Sequence, residues 1–317
     1  MTVRTIAQII FVMLLWAACY PLITVGIEFA PHLTFAALRA ILAGLALTGL
    51  AIVLRRPLPK GRRVWAMIAV IGVGATSLGF LGMFHAAEFV SPGIATVIAN
   101  TQPLLAAVLA GLVLNERLTP RGKLGLALGF VGILVITSPQ FFGAGQANYM
   151  IGIAYIVLAA FGITISNVVI KRIAGEVDVL MAMGLQMLIG SIPLIITAWA
   201  MEDPTAIQWS FTFVGALIVL SLFGSALVYW LWFSILEKAP LNRANAFSFL
   251  IPIFGLTMGA LFYGETLGWP QFVGIALAIL GVGLVTRHGT RSETSSRQNA
   301  PIGAQVPGGS RREPQQM

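Results

Sequence analysis

The chain has 317 residues, 58% hydrophobic and only 9% charged, with a mean hydropathy of +0.91. A soluble domain carries about 25% charged residues, so this composition excludes an ordinary water-soluble fold and points to a bilayer. The formal net charge of +8 would suit a nucleic-acid binder, but the location of the charges argues otherwise, and the single Cys19 excludes an intrachain disulfide framework and a multi-cysteine metal site.

Ten apolar spans follow one another at 6–27, 33–54, 64–86, 93–114, 122–138, 149–170, 179–200, 211–235, 243–263 and 270–287. Most are long enough to cross about 30 Å of hydrocarbon as helix, at about 1.5 Å per residue. The fifth and tenth are short and lean on Lys123 and Arg287, whose aliphatic stems reach toward water. The first is read as a retained span: only Arg4 precedes it, and Trp16, Tyr20 and Pro21 interrupt it, unlike a cleaved leader. Strands of an outer-membrane barrel would alternate strictly over about 10 residues, which these spans do not. From His288 to Met317 the chain is rich in Ser, Gly, Pro, Gln and Arg and is expected to be a disordered tail.

Arg and Lys occupy alternate connections. They are Arg4; Arg55, Arg56, Lys60, Arg62 and Arg63; Arg117, Arg121 and Lys123; Lys171 and Arg172; Lys238 and Arg243; and Arg287 with the tail arginines. These are 18 of the 19 basic residues. The positive-inside rule then puts both termini in the cytoplasm. The basic tail reads as solvated and close to anionic lipid, with no nucleic-acid role.

The stretches NTQPLLAAVLAGLVLNERL, from residue 100, and FLIPIFGLTMGALFYGETL, from residue 249, share a proline and a glutamate. Both pairs, Pro103/Pro252 and Glu116/Glu265, are 149 residues apart. The same offset relates Phe84 to Phe233, Glu88 to Glu237, Gly125 to Gly274 and Gly132 to Gly281, with 13 identities over the 60 positions from 78 to 137. Five spans separate equivalent positions. An odd number makes the second copy enter from the opposite side, as in the inverted repeats of secondary transporters. The expected fold is all-α and integral to the membrane. It has a first five-helix repeat over 1–138, a second over 149–287 and a tail over 288–317.

Pro103 and Pro252 fall near the middle of their spans. Each lacks an amide hydrogen and clashes with the carbonyl four residues back, freeing the carbonyls of Ala99 and Ser248 at mid-depth. Such carbonyls face protein, a watery cavity or substrate, because facing lipid costs several kcal/mol. Two readings stay open for each proline, a cavity border and a packing kink; the symmetry of the pair favours the border. Asn100 and Ser248 share the proline faces, with Thr96 and Ala107 on one helix and Asn245, Gly255 and Gly259 on the other, and they are candidate cavity-lining residues. Trp16, Tyr20, Tyr229 and Trp232 are candidates for aromatic walls or for interfacial anchoring and packing. Gly125 and Gly129 form a GxxxG pattern read as packing.

Arg39 is the only basic residue inside a span and away from its ends, with Gln186 as its expected repeat counterpart. It is read first as the ion-pair partner of Glu28, Glu88 or Glu265, and second as a contact for a substrate carboxylate. His85 and Glu88 lie one turn apart near the outer end of the third span, as solvated end residues or as a proton relay. No Asp or Glu lies in the middle third of any span, so strict dependence on a proton gradient is not expected.

At these residues the chain resembles the EamA-type group of the drug/metabolite transporter superfamily. The resemblance rests on WAACYPLITVG in the first span, FAALRAILAG in the second, NERLTPRGKLGLALGFVGILVI after the fourth, and YGETLGWPQFVGIALAILGVGLV in the second half. It covers roughly residues 6–287 and implies a ten-helix, 5+5 inverted repeat that exports or exchanges small organic solutes, amino acids among them. Relatives often carry arginine at the position of Arg39, which fits a scaffold role. Glu88 departs from the pattern, because relatives often carry a small, polar or basic residue there.

The expectation is a secondary exporter of small organic metabolites in the inner membrane, working by alternating access, with a small-molecule substrate and the lipid bilayer as its partners. No cofactor, metal or catalytic residue is expected. A nucleotide-linked or lipid-linked sugar carrier is the alternative within transport. An intramembrane enzyme is disfavoured, since Asp178 and Asp203 lie at or beyond helix ends and no GxSxG, HExxH or P-loop occurs. A receptor or scaffold would need a large folded extramembrane part.

Overall fold

Apolar runs with no polar face leave the helix as the way to satisfy backbone groups in a dry medium. The computed structural model describes residues 1–85, 99, 101–141, 149–263, 268–288 and 290–292. Its helices are α1 (Val3–Ile27), α2 (His32–Val53), α3 (Arg62–His85), α4 (Gln102–Val113), α5 (Pro120–Phe141), α6 (Tyr149–Ile173), α7 (Val179–Met201), α8 (Phe211–Lys238), α9 (241–263) and α10 (Trp269–His288). Among the described residues seven helices are long and apolar enough to cross a membrane: α1, α2, α3, α6, α7, α8 and α10. Large apolar side chains such as Leu112, Trp199, Leu261 and Leu280 are more than half exposed, as a lipid-facing surface requires.

The short spans expected at 122–138 and 270–287 are helices of 22 and 20 residues, Pro120–Phe141 and Trp269–His288, which begin two and one residues before the expected spans and run past their ends. The expected tail is not wholly without structure: Thr290–Ser292 pairs antiparallel with Glu116–Leu118, in register Arg117 to Arg291.

Glycines set the closest helix contacts. A Cβ on Gly132 would meet the Gly274 carbonyl and the Ala278 amide, each at 2.7 Å, and one on Gly125 would meet the Gly281 carbonyl at 2.7 Å. The converse also holds: Cβ atoms on Gly274 and Gly281 would come within 2.5 Å of the Gly132 and Gly125 carbonyls. Helices α5 and α10 therefore touch backbone to backbone, which only small residues permit. The contact is reciprocal, with each glycine meeting the repeat partner of the other. A self-complementary surface of this kind arises when two like elements pack about a two-fold axis. The GxxxG of α5 is indeed a packing motif, with Gly129 lying under the Phe249 ring.

Side chains tie the connections into two ends. At one end Arg56 pairs with Asp178 at 3.8 Å and Arg63 with Glu176 at 3.6 Å. There Glu116 accepts from the Leu241 and Asn242 amides, at 3.1 and 3.3 Å, neutralising the N-terminus of α9. Lys171 donates to the Leu236 and Ala239 carbonyls at the C-terminus of α8. At the opposite end Glu202 accepts from the Leu33 and Thr34 amides, both at 2.8 Å, at the start of α2, and the Gln208 amide donates to the Phe29 carbonyl.

Candidate functional site

Two helices depart from the regular ladder at matching places. In α3 the residues Gly72–Leu78 form a π-helical segment, and in α8 Leu222–Leu227 form another. Leu78 and Leu227, where the two segments end, are the 149-residue repeat partners. A π turn widens the helix and leaves carbonyls without their usual i+4 donor, and such turns gather at functional sites.

Side chains from other helices bind these freed groups. Arg39, on α2, donates from Nε to Ser225 Oγ at 2.6 Å and from Nη2 to the Gly224 carbonyl at 3.0 Å. Its guanidinium carbon lies 4.7 Å from the centre of the Phe80 ring, and Nη2 also approaches Cys19 Sγ at 3.6 Å. Thr76 is the repeat partner of Ser225, and its Oγ1 donates at 2.9 Å to Oε1 of Gln186, which lies on α7, 147 positions after Arg39. A charged bond on one side is thus matched by a neutral bond on the other. Both run between repeats, from α2 to α8 and from α3 to α7. Ala75 and Gly224 are also repeat partners, and the Ala75 carbonyl accepts from the Tyr229 hydroxyl at 3.2 Å.

An aromatic and amide cluster continues this layer. The Trp16 ring lies 6.4 Å from Tyr229, edge-on, and 5.4 Å from Trp232. Trp232 Nε1 donates to Asn167 Oδ1 at 2.9 Å, and Asn167 Nδ2 faces Asn245 Oδ1 at 3.4 Å. Asn245 Nδ2 and Gln186 Nε2 are buried donors without an acceptor among the described residues. The buried guanidinium of Arg39 adds further donors to this layer.

The sequence candidates fall into three groups. Trp16, Tyr229, Trp232 and Arg39 come together in this layer. Ser248 is buried nearby in sequence to Asn245, whose carbonyl its hydroxyl binds at 2.7 Å. Pro252 follows the 3-10 turn Phe247–Phe249, where the helix breaks and restarts as Leu250–Tyr263. Pro103 does not kink the middle of a described helix. It occupies the first turn of α4, where its missing amide hydrogen costs nothing. Asn100, Glu88 and the Tyr20 side chain lie outside the described residues. His85 sits away from the layer, at the end of α3 beside His32.

The ion pair expected between Arg39 and Glu28 is not formed. Arg39 is 3% exposed and its hydrogen-bond acceptors are neutral, while Glu88 and Glu265 lie outside the described residues. Sequence reasoning missed Asn167, Ser225 and Thr76. Asn167 is a lone amide in an apolar helix, a visible signal, whereas a small hydroxyl in such a helix usually binds its own backbone.

The EamA-like transporter family matches residues 3–138 and again 150–287. A chloroplastic WAT1-related protein of Arabidopsis thaliana is 34% identical over 259 residues, covering 79% of this chain and 61% of its own length, so the chain spans about six-tenths of that relative. An uncharacterised transporter of Bacillus subtilis, YvbV, is 26% identical over 300 residues, covering 95% of each chain. A probable amino-acid metabolite efflux pump of Salmonella typhimurium is 28% identical over 284 residues, covering 86% of this chain and 91% of the pump. A crystal structure of 18% identity superimposes with a TM-score of 0.76, covering 95% of this chain and all of the other, and shares the fold. With two family matches spanning nearly the whole helical part, the chain is a multi-pass membrane protein of the EamA-like transporter family, within the drug/metabolite transporter superfamily.

Proposed function

We propose that the protein is a secondary transporter that exports small organic metabolites, amino acids among them, by alternating access. Its ten spans form a 5+5 inverted repeat, with both termini cytoplasmic and the inner membrane as its site. The observation that carries this reading is the matched pair of π segments, each bound by a polar side chain from the other repeat. Reciprocal glycine contacts between α5 and α10 support the two-fold relation. The pairing of Arg56, Arg63, Lys171 and Glu116 at one end of the bundle supports a single basic, cytoplasmic face. The probable amino-acid metabolite efflux pumps among the relatives support the substrate class.

Alternating access needs elements with two arrangements of similar energy. The π segments and the 3-10 turn of α9 are such elements, because their hydrogen bonds are already irregular and re-form at small cost. Trp16, Tyr229 and Trp232 supply apolar contact, and the amide donors of Asn245 and Gln186 await an acceptor, as a carboxylate supplies. Exchange of labelled amino acids through proteoliposomes containing Trp232→Phe tests this assignment. The substitution keeps a ring but removes the donor to Asn167. A slower exchange with normal membrane insertion is expected; the wild-type rate would remove the cluster from the transport path.

A further inference from the structure

The connection from α2 to α3 carries five cations and no acid: it reads RRPLPKGRR from Arg55 to Arg63. It is held in one shape. Pro57 and Pro59 fix their own φ angles. The Trp65 indole donates to the Pro59 carbonyl at 3.1 Å. The Arg55 and Arg56 amides donate back to the Ile52 and Ala51 carbonyls, at 2.9 and 2.8 Å. Two of the five cations are committed: Arg56 pairs with Asp178 and Arg63 with Glu176, so each acid of the α6–α7 connection already faces a cation. Arg55, Lys60 and Arg62 are exposed, and among the described residues no carboxylate pairs with them.

Apolar surface adjoins these three. Ile52 is 64% exposed, Val53 77% and Leu58 61%. Leu45, two turns before Ile52 on the same face of α2, is exposed as well. Trp65, in the first turn of α3, shows part of its ring. Both α2 and α3 are long and apolar enough to cross a membrane, so the connection between them lies where hydrocarbon gives way to headgroups.

We propose that the α2–α3 connection is a docking surface for the phosphate headgroup of an anionic membrane lipid. Arg55, Lys60 and Arg62 donate to the phosphate oxygens, the two guanidinium forks being suited to paired contacts. Trp65 and Leu58 sit at headgroup level, and an acyl chain runs along the exposed face of α2. Charge and apolar surface together select a lipid. A soluble anion would use the cations and leave Ile52 and Val53 uncovered, whereas a zwitterionic lipid brings its own cation and gains little from these three. The prolines and the Trp65 hydrogen bond already order the backbone, so binding loses little conformational entropy. The surface lies at one end of the bundle, and neither the substrate nor the direction of transport enters the argument.

The test uses the full chain in a Cys19→Ala background, with a bimane label at Val53→Cys, in vesicles of equal parts phosphatidylglycerol and phosphatidylcholine. Bromine on the chains of one lipid or the other shows which of them lies beside the label, because only the brominated lipid quenches it. Stronger quenching by the phosphatidylglycerol is expected at Val53→Cys, and equal quenching by the two lipids at Trp199→Cys, an exposed site at the opposite end. One cation near an anionic surface changes association about fivefold. Arg62→Gln should therefore lower the preference by up to about fivefold, and Arg55→Gln, Lys60→Gln and Arg62→Gln together should abolish it. Raising the salt from about 0.05 to about 0.5 M should weaken the preference in the unsubstituted connection, which tests the charges without any variant of them. Equal quenching at Val53→Cys, an equal preference at Trp199→Cys, a preference indifferent to salt, or one that survives the triple substitution would overturn the proposal. Loss of the preference on adding millimolar glycerol phosphate would assign the surface to a soluble anion and overturn it too. None of these readings needs a transported solute, so their failure leaves the transport assignment standing.

Discussion

Replacing Gly132 by alanine probes the α5–α10 contact on which the two-fold relation rests. The added methyl would sit 2.7 Å from both the Gly274 carbonyl and the Ala278 amide, where ordinary contact begins at 3.4 Å. Both neighbours are backbone, so no side chain can swing aside and the helices must part by roughly 0.7 Å. Overpacking of this kind costs about 1–3 kcal/mol. Alanine also gains about 1 kcal/mol over glycine in helix propensity, which partly hides the cost. Gly283→Ala on α10 cancels that gain, since nothing lies within 4 Å of its new methyl. In SDS-titration unfolding followed by tryptophan fluorescence, Gly132→Ala should therefore fall about 1–3 kcal/mol below Gly283→Ala. Gly274→Ala should fall by a similar amount. The double variant should lose less than the sum, because one helix displacement makes room for both methyl groups. Equal stability of Gly132→Ala and Gly283→Ala would refute the backbone contact.

Three further outcomes follow from the same geometry. Ser225→Ala leaves the buried Arg39 Nε without its acceptor and should cost about 1–3 kcal/mol in the same unfolding assay, more than Thr76→Val, whose partner Gln186 is neutral; the reverse order would contradict the charged role given to Arg39. Pro252→Ala restores an amide hydrogen after the 3-10 turn and should slow exchange without affecting insertion, whereas an unchanged rate would make the turn a packing feature. In a Cys19→Ala background, an impermeant maleimide should label Thr205→Cys but not Gly61→Cys in intact cells, and the opposite pattern would invert the orientation.

Much of the architecture was legible because hydropathy and charge act over long stretches. The paired Pro, Glu and Gly at one offset pointed to the repeat that the two family matches also mark, and the alternation of basic connections is what the proposed sidedness rests on. The π segments were not legible. Their detection needs a polar stripe whose phase shifts by one residue, and helices as uniformly apolar as α3 and α8 carry none. Trp16, Tyr229 and Trp232 stood out as aromatics, but nothing in the sequence said that Asn167 would cross from α6 to hold the Trp232 indole. Arg39 was conspicuous as a charge, but among the described residues no carboxylate, Glu28 included, holds it. A freed π-segment carbonyl and a serine hydroxyl bind the guanidinium, and periodicity does not reveal freed carbonyls. His32 and Glu202 are 170 positions apart and meet only through the fold.

Counterflow in proteoliposomes tests the central claim most directly. Liposomes loaded with an unlabelled mixture of amino acids and small organic metabolites receive the same solutes in labelled form outside. The account predicts transient accumulation of at least one labelled solute above its external concentration, without ATP and without an imposed proton gradient. Liposomes holding folded, correctly inserted protein that accumulate no labelled solute beyond protein-free controls would contradict it.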